Sequence, residues 1–171
     1  MNQAKIIGIV AIAKNFAIGK SGKIPWYYPS DLRFFRETTT GHAVVMGYNT
    51  WLSIGKPLKN RLNIVLSRSR NLESQEGLLL MRTKQEVLFL AKYLKCDLFI
   101  IGGAKTYLEF LENIQQWFVT EIPLDIEDAD SFMPSDFLSG FELSRQISLG
   151  DLIVKEYSRI NQNNATSFQS F

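Results

Sequence analysis

Residues 5–13 form a nearly continuous apolar run, K-I-I-G-I-V-A-I-A, bounded by polar residues. A strand of this composition offers no face to water. It belongs at the centre of a sheet covered on both sides, as in parallel α/β proteins. It is too short to span a membrane, and no run of 18 apolar residues occurs elsewhere in the chain. The N-terminus also lacks the charged, apolar and cleavage-site pattern of a signal peptide.

The order of the remaining segments fits such a sheet. Short apolar runs at 43–46, 62–66, 78–81 and 97–101 read as strands. The first helix runs from Ser30 to near Gly41. The second, N-T-W-L-S-I, has Asn49 or Thr50 as cap and Gly55 as stop. The third covers 83–95, with Thr83 and Glu86 as a capping box, and the fourth covers about 106–111. Strands alone follow, at 116–122, 141–145 and 149–158. Alternation followed by strands predicts an α/β fold: a mainly parallel central sheet of about eight strands, an antiparallel C-terminal edge and about four flanking helices. At 171 residues and 46% hydrophobic the chain suits one domain, assigned to residues 1–160, with 161–171 as a polar tail.

Net charge is only +2, with acids and bases interspersed, so the sequence carries no basic stripe for nucleic acid. Cys96 and His42 each stand alone, which disfavours a disulfide, a Cys/His metal site and a Cys/His or Ser/His/Asp nucleophile. The expectation is a cytoplasmic protein without a metal.

The long connection at 15–29 holds Gly19 and Gly22 together with Ile18, Ile24 and Trp26, and predicts a loop that packs on something. It passes through Pro29 into the first helix. There Asp31, Leu32, Phe35 and Thr39 share one face. A carboxylate among apolar side chains is costly unless a partner neutralises it. No Lys or Arg occupies that face, so a ligand can be the partner. The competing reading makes Ser30 or Asp31 an ordinary helix start.

Three strand ends suit phosphates. Ile101-Gly102-Gly103-Ala104 leads a strand into a helix, Met46-Gly47 precedes Asn49-Thr50, and Ser67-Arg68 follows the strand at 62–66. Ligands of open α/β sheets bind beyond the carboxyl ends of strands, and a dinucleotide with several phosphates would use all three. Against this, a Gly-Gly turn can be plain geometry. Arg68 and Arg61 can be solvated surface charges. The functional reading of Arg61 is a fork for a substrate carboxylate.

Taken in order, these residues resemble dihydrofolate reductase. Ala17-Ile18-Gly19, Ile24-Pro25-Trp26, Asp31, Phe35 and Thr39 fit that family's signature. Val45-Met46-Gly47, Thr50-Trp51, Ser53-Ile54-Gly55, Pro57-Leu58, Arg61, Asn63, Leu66-Ser67-Arg68, Ile101-Gly102-Gly103, Tyr107, Thr120 and Ala129-Asp130-Ser131 follow at family spacing, so the resemblance covers about residues 5–158. It implies a dihydrofolate-reductase-like fold, a monomer, and reduction of dihydrofolate to tetrahydrofolate by NADPH, with antifolates as inhibitors. It implies Asp31 as the pocket carboxylate, supported by Thr120, with Trp26 holding an ordered water. Leu32, Phe35, Ile54 and Leu58 would wrap the substrate and Arg61 would hold its glutamate. Ile9, Val10, Ile101 and Tyr107 would line the pterin floor and the nicotinamide contact. For the cofactor it implies Ala11, Ile18, Gly19, Gly47, Asn49, Thr50, Leu66, Gly102, Gly103, Ala104, Lys105 and Thr106, with Ser67, Arg68 and Arg82 meeting the 2′-phosphate.

Several positions depart from the family pattern. Tyr48 stands where many members carry Arg or Lys, Ala104 replaces a frequent third glycine, Tyr28 replaces a common Leu, and Ser131 replaces the usual Thr. Two other classes remain open. One is a reductase of the same fold acting on another pteridine or pyrimidine, which the P-W-x₄-D signature and Arg61 argue against. The other is a non-catalytic nucleotide-binding module, in which Asp31 would have no purpose.

Overall fold

The apolar run becomes β1 (Ile6–Ala13), the centre of an eight-stranded sheet in a computed structural model that describes residues 3–161. On one side it pairs in parallel with β6 (Leu98–Ile100), on the other with β7 (Gln116–Ile122). Beyond β6 lie β3 (Ala43–Gly47), β4 (Leu62–Leu66) and β5 (Leu78–Met81), all parallel. Beyond β7 the direction reverses. β10 (Ile153–Arg159) runs antiparallel to β7, and β9 (Phe141–Ser148) closes the edge antiparallel to β10. The sheet is therefore the predicted mainly parallel one with an antiparallel C-terminal edge.

Four helices cover it: α1 (Pro29–Thr39), α2 (Tyr48–Ile54), α3 (Lys84–Ala91) and α4 (Ala104–Phe110). Alternate side chains of β1 enter two separate cores. Val10 and Ile12 join Val45, Ile100, Phe110 and Trp117. Ile7 and Ile9 join Val44, Met46, Trp51 and Phe99 on the other face. Both faces of β1 are apolar because both are covered.

Several element ends differ from the sequence reading. Gly47, not Asn49 or Thr50, is the N-cap of α2, and no side chain caps it, so the helix begins before the expected caps, which lie inside it. Gly55 stops α2 in the left-handed region, with φ of 77°. In α3 the Thr83 hydroxyl accepts the Glu86 N–H at 3.2 Å, but the Glu86 carboxylate reaches the Arg82 N–H at 2.7 Å instead of closing the box on Thr83. That helix stops at Ala91, short of 95. α4 begins at Ala104, earlier than 106. β9 extends to Ser148, and the start of the expected 149–158 strand is a turn, because Leu149 N–H closes on the Leu152 carbonyl and Gly150 takes φ of 94°. The expected polar tail at 161–171, apart from residue 161, lies outside the described residues.

The 15–29 connection contains an element that its length and composition did not reveal. β2 (Ala17–Gly19) pairs antiparallel with β8 (Ser131–Phe132). Asp130 adds a carboxylate oxygen that accepts the Ser21 N–H at 2.9 Å, and Lys20 forms an ion pair with Asp128. The loop is thus stapled to a distant segment through backbone pairing.

Candidate active site

The parallel ladder between β1 and β6 ends at Gly8 and Ile100. After Ile100 the chain leans toward β3: Ile101 N–H donates to the Val45 carbonyl and Gly47 N–H to the Gly102 carbonyl, both at 2.9 Å. β1 continues beside β7 alone. A cavity of about 1100 Å³ opens where the strands part, at their carboxyl ends. Ile9, Val10 and Ala11 of β1 line it together with Ile101. Tyr107, buried on α4, fixes the floor by donating its hydroxyl to the Ile9 carbonyl at 2.7 Å.

Asp31 enters this cavity from the first turn of α1. The helix has Tyr28 at its N-cap and no side-chain cap bond. Ser30 instead donates its hydroxyl to Asp151 at 2.6 Å. Neither Ser30 nor Asp31 therefore serves as the cap. Burial raises the Asp31 pKa, and hydrogen bonding with the Thr120 side chain pulls the other way. Thr120 is buried on β7, beside Ala11 in the register. The Tyr107 phenol is raised first by burial and then by the charge of Asp31, which places the two in one neighbourhood. Among the described residues Asp31 forms no ion pair. Leu32, Phe35, Ile54 and Leu58 line the same end. Leu32 is 47% exposed despite its size and presents that apolar surface to the cavity.

The opposite end is built from the starts of α2 and α4. Gly47, Asn49, Thr50, Gly102, Gly103, Ala104, Lys105 and Thr106 all line it. The fit is tight at Gly47, where a Cβ would lie 2.8 Å from Thr106 Oγ1, while one at Gly103 would make only ordinary contact with Thr50 Oγ1 at 3.7 Å. Gly102 takes φ of 117°, a conformation side chains resist, and a Cβ there would press on the Tyr107 ring. Leu66, Ser67, Arg68 and Arg82 line the far rim. Arg82 is more committed than the sequence reading allowed. Its guanidinium donates to the Ser67 and Arg70 carbonyls at 3.0 and 2.6 Å and to Asn71 Oδ1 at 2.7 Å.

The 15–29 loop contributes Ile18 and Gly19, as expected, and also Lys20, Gly22, Lys23 and Ile24. Within this loop Ile24 is 58% exposed and faces the cavity mouth. Tyr48, Ser53, Glu109, Asp130, Ser131 and Phe132 are further lining residues that were not assigned to the site. In the sequence Tyr48 stands out only as a departure, Asp130 only as a matching position, and Ser131 as both.

Two expected residues stand outside the lining. Trp26 has a buried Nε1–H without a partner, a donor suited to a water. Arg61 donates to Thr39 Oγ1 at 3.0 Å and to the Lys59 carbonyl at 2.9 Å. Its turn is pinned by Asn63, a fully buried side chain that accepts the Leu58 N–H and donates to the Leu58 and Arg61 carbonyls. Burial and the nearby charge of Arg36 lower the Arg61 pKa, and no carboxylate pairs with it among the described residues.

The dihydrofolate reductase family profile matches residues 5–155. The chain belongs to the dihydrofolate reductase family. It is 41% identical over 127 residues to a dihydrofolate reductase of Buchnera aphidicola, covering 74% of this chain and 76% of that one. It is 37% identical over 145 residues to the enzyme of Ureaplasma parvum, covering 84% and 90%. A dihydrofolate reductase from Enterococcus faecalis, complexed with NADP(H) and RAB-propyl, superposes with a TM-score of 0.84 at 31% identity, covering 93% of this chain and 98% of that one. This reductase therefore reduces 7,8-dihydrofolate to tetrahydrofolate with NADPH, a reaction of one-carbon metabolism.

Proposed function

We propose that Asp31 is the group through which this reductase delivers the proton of its reaction. The observation that carries the assignment is a half-buried carboxylate on the cavity wall, unpaired and with a raised pKa. When bound, NADPH supplies the hydride that goes to C6 of the pterin, and a proton goes to N5. Asp31 accepts hydrogen bonds from the pterin N3 and 2-amino groups, a planar donor pair that matches the two carboxylate oxygens. Diaminopyrimidine antifolates offer the same pair. Thr120 orients the carboxylate, and the buried Trp26 Nε1–H holds a water beside it. Leu32, Phe35, Ile54 and Leu58 exclude solvent from the rings, and Ile24 covers them from the loop.

The other end suits a phosphate-rich dinucleotide. Gly47 and Gly102 keep the backbone bare there, since a Cβ at Gly47 would collide with Thr106 Oγ1 and one at Gly102 would press on the Tyr107 ring. On this reading Asn49, Thr50, Ala104, Lys105 and Thr106 hold the pyrophosphate, and Ser67 and Arg68 meet the 2′-phosphate, on a loop that Arg82 braces. The reductase domain is residues 1–160, acting as a cytoplasmic monomer, and among the described residues no helix is long and apolar enough to cross a membrane.

The proton assignment is tested by following NADPH absorbance with dihydrofolate across pH. The rate falls as pH rises through the raised Asp31 pKa, because the carboxyl loses its proton there. A profile that stays flat from acid to alkaline pH overturns the assignment.

Arg61 holds the glutamate carboxylate of the substrate. Its support is the uncompensated charge it shares with Arg36, which an anion would neutralise. Arg61→Ala raises KM for dihydrofolate by ~10- to 100-fold, from a charge-assisted contact of roughly 1.5–3 kcal/mol. A substrate lacking the glutamate is spared. Equal damage to both substrates makes Arg61 a prop for Thr39 and nothing more.

A further inference from the structure

Tyr48 carries no charge, but a guanidinium lies over its ring. Gly47, Leu66 and Met81 are register partners across β3, β4 and β5. The next residues, Tyr48, Ser67 and Arg82, therefore emerge side by side at the carboxyl edge of the sheet. From Ser67 the chain turns back on itself, with Arg70 N–H donating to Ser67 Oγ at 3.1 Å. Arg82 clamps the turn through the Ser67 and Arg70 carbonyls and the Asn71 side chain. The turn carries the Arg70 guanidinium onto the Tyr48 ring, 5.4 Å from its centroid.

We infer that Arg70, stacked on Tyr48, is a specificity-determining residue that grips the 2′-phosphate of NADPH. The inference rests on the cofactor end proposed above. Two observations and two chemical arguments support it. Arg70 has no ion-pair partner among the described residues, so its charge is available. Tyr48 lines the cavity beside Ser67 and Arg68, and the Arg70 guanidinium lies over its ring just outside that lining. An exposed arginine normally loses much rotamer freedom when it grips a ligand. Here the ring and the clamped turn restrict it beforehand, so less freedom is lost on binding. A guanidinium can also stack and still offer its edge N–H groups as a fork to phosphate oxygens, which an ammonium cannot. Arg82, in contrast, has its guanidinium directed at the turn, which makes it a positioning residue.

The test is titration calorimetry of the full chain with NADPH and with NADH, for wild type, Arg70→Gln, Arg70→Lys, Tyr48→Phe, Tyr48→Ala and Arg68→Ala. Arg70→Gln weakens NADPH binding by about tenfold, about 1.4 kcal/mol, and leaves the NADH Kd unchanged, because NADH has no 2′-phosphate. Tyr48→Phe keeps the ring and stays near wild type. Tyr48→Ala weakens NADPH selectively, and combining it with Arg70→Gln adds nothing further. Arg70→Lys recovers part of the loss, since it restores charge without the fork. If Arg70→Gln leaves NADPH binding intact while Arg68→Ala weakens it, the phosphate end stands and the role of Arg70 is overturned. If Arg70→Gln weakens both cofactors alike, Arg70 only maintains the turn and the inference is again overturned. A wild type that binds both cofactors equally removes the phosphate end itself and the inference with it.

Discussion

Asp31→Asn lowers turnover at neutral pH by ~10²- to 10⁴-fold, the range of a lost general acid–base group. The substitution keeps the size of the side chain and much of its hydrogen bonding, so the loss reports charge and proton supply. It shrinks as pH falls, because solvent can then protonate the substrate directly. Diaminopyrimidine antifolates weaken in parallel, having lost a charge-assisted pair. Near-normal turnover at pH 7 would remove Asp31 from the mechanism. The same substitution has an opposite effect on the unliganded fold. Burial raises the Asp31 pKa above its ordinary value of 3.8. Between that value and the folded one, the native state binds more protons than the unfolded chain, so stability declines as pH rises through this window. At neutral pH the wild type carries the full cost of a buried carboxylate, and Asn does not. Asp31→Asn is therefore expected to melt higher than wild type at pH 7, with the gap closing as pH is lowered toward 3.8. A variant that is slower and more stable marks a site whose chemistry opposes its packing.

The sheet was legible where apolar runs are bounded by polar residues. The strands at 62–66, 78–81 and 116–122 lie where their apolar runs place them; the first is buried along most of its length, whereas Glu121 in the third points outward to pair with Lys155. Helix starts were less legible. Gly47 caps α2 with no side-chain signal, so the hydroxyl and amide of Thr50 and Asn49 misled the reading. The pairing of β2 with β8 involves only Ala17–Gly19 and Ser131–Phe132, too short for any periodicity to form. At the site, helical spacing alone put Asp31, Leu32, Phe35 and Thr39 on one face. What that face looks onto depends on where β1 and β6 part, which no local pattern encodes. The stacking of Arg70 on Tyr48 depends on a turn that Arg82 clamps from a neighbouring strand. Read singly, these three residues look like surface arginines and one substitution; only the register of β3, β4 and β5 brings them together.

Gly8→Ala is expected to be the most damaging single-methyl change in the sheet. Gly8 sits mid-strand on β1, opposite Trp117 on β7 and Ile100 on β6. A Cβ there would lie 2.3, 2.4 and 2.7 Å from three atoms of the Trp117 ring. That ring has nowhere to go: it is fully buried, 5.6 Å from the Tyr107 ring and 5.2 Å from Phe137 in an edge-on contact. Interiors packed at this density do not absorb an extra methyl by small side-chain shifts. Either β1 and β7 separate or Trp117 leaves its rotamer, and the cost is about 3 kcal/mol, the upper part of the overpacking range. For a chain of this length that lowers Tm by roughly 6–12 °C. The strain also reaches the site, because Trp117 packs on Tyr107, whose hydroxyl holds the carbonyl of Ile9, the residue after Gly8. Substrate binding should weaken along with stability. A double-mutant cycle with Trp117→Phe separates steric conflict from loss of backbone freedom. The smaller ring makes room, so Gly8→Ala costs much less in that background, and the double variant is less destabilised than the sum of the two singles by more than about 1 kcal/mol. Equal cost in both backgrounds would show that the glycine is needed for its backbone. An unchanged Tm in the single variant would show that β1 and β7 can part without penalty.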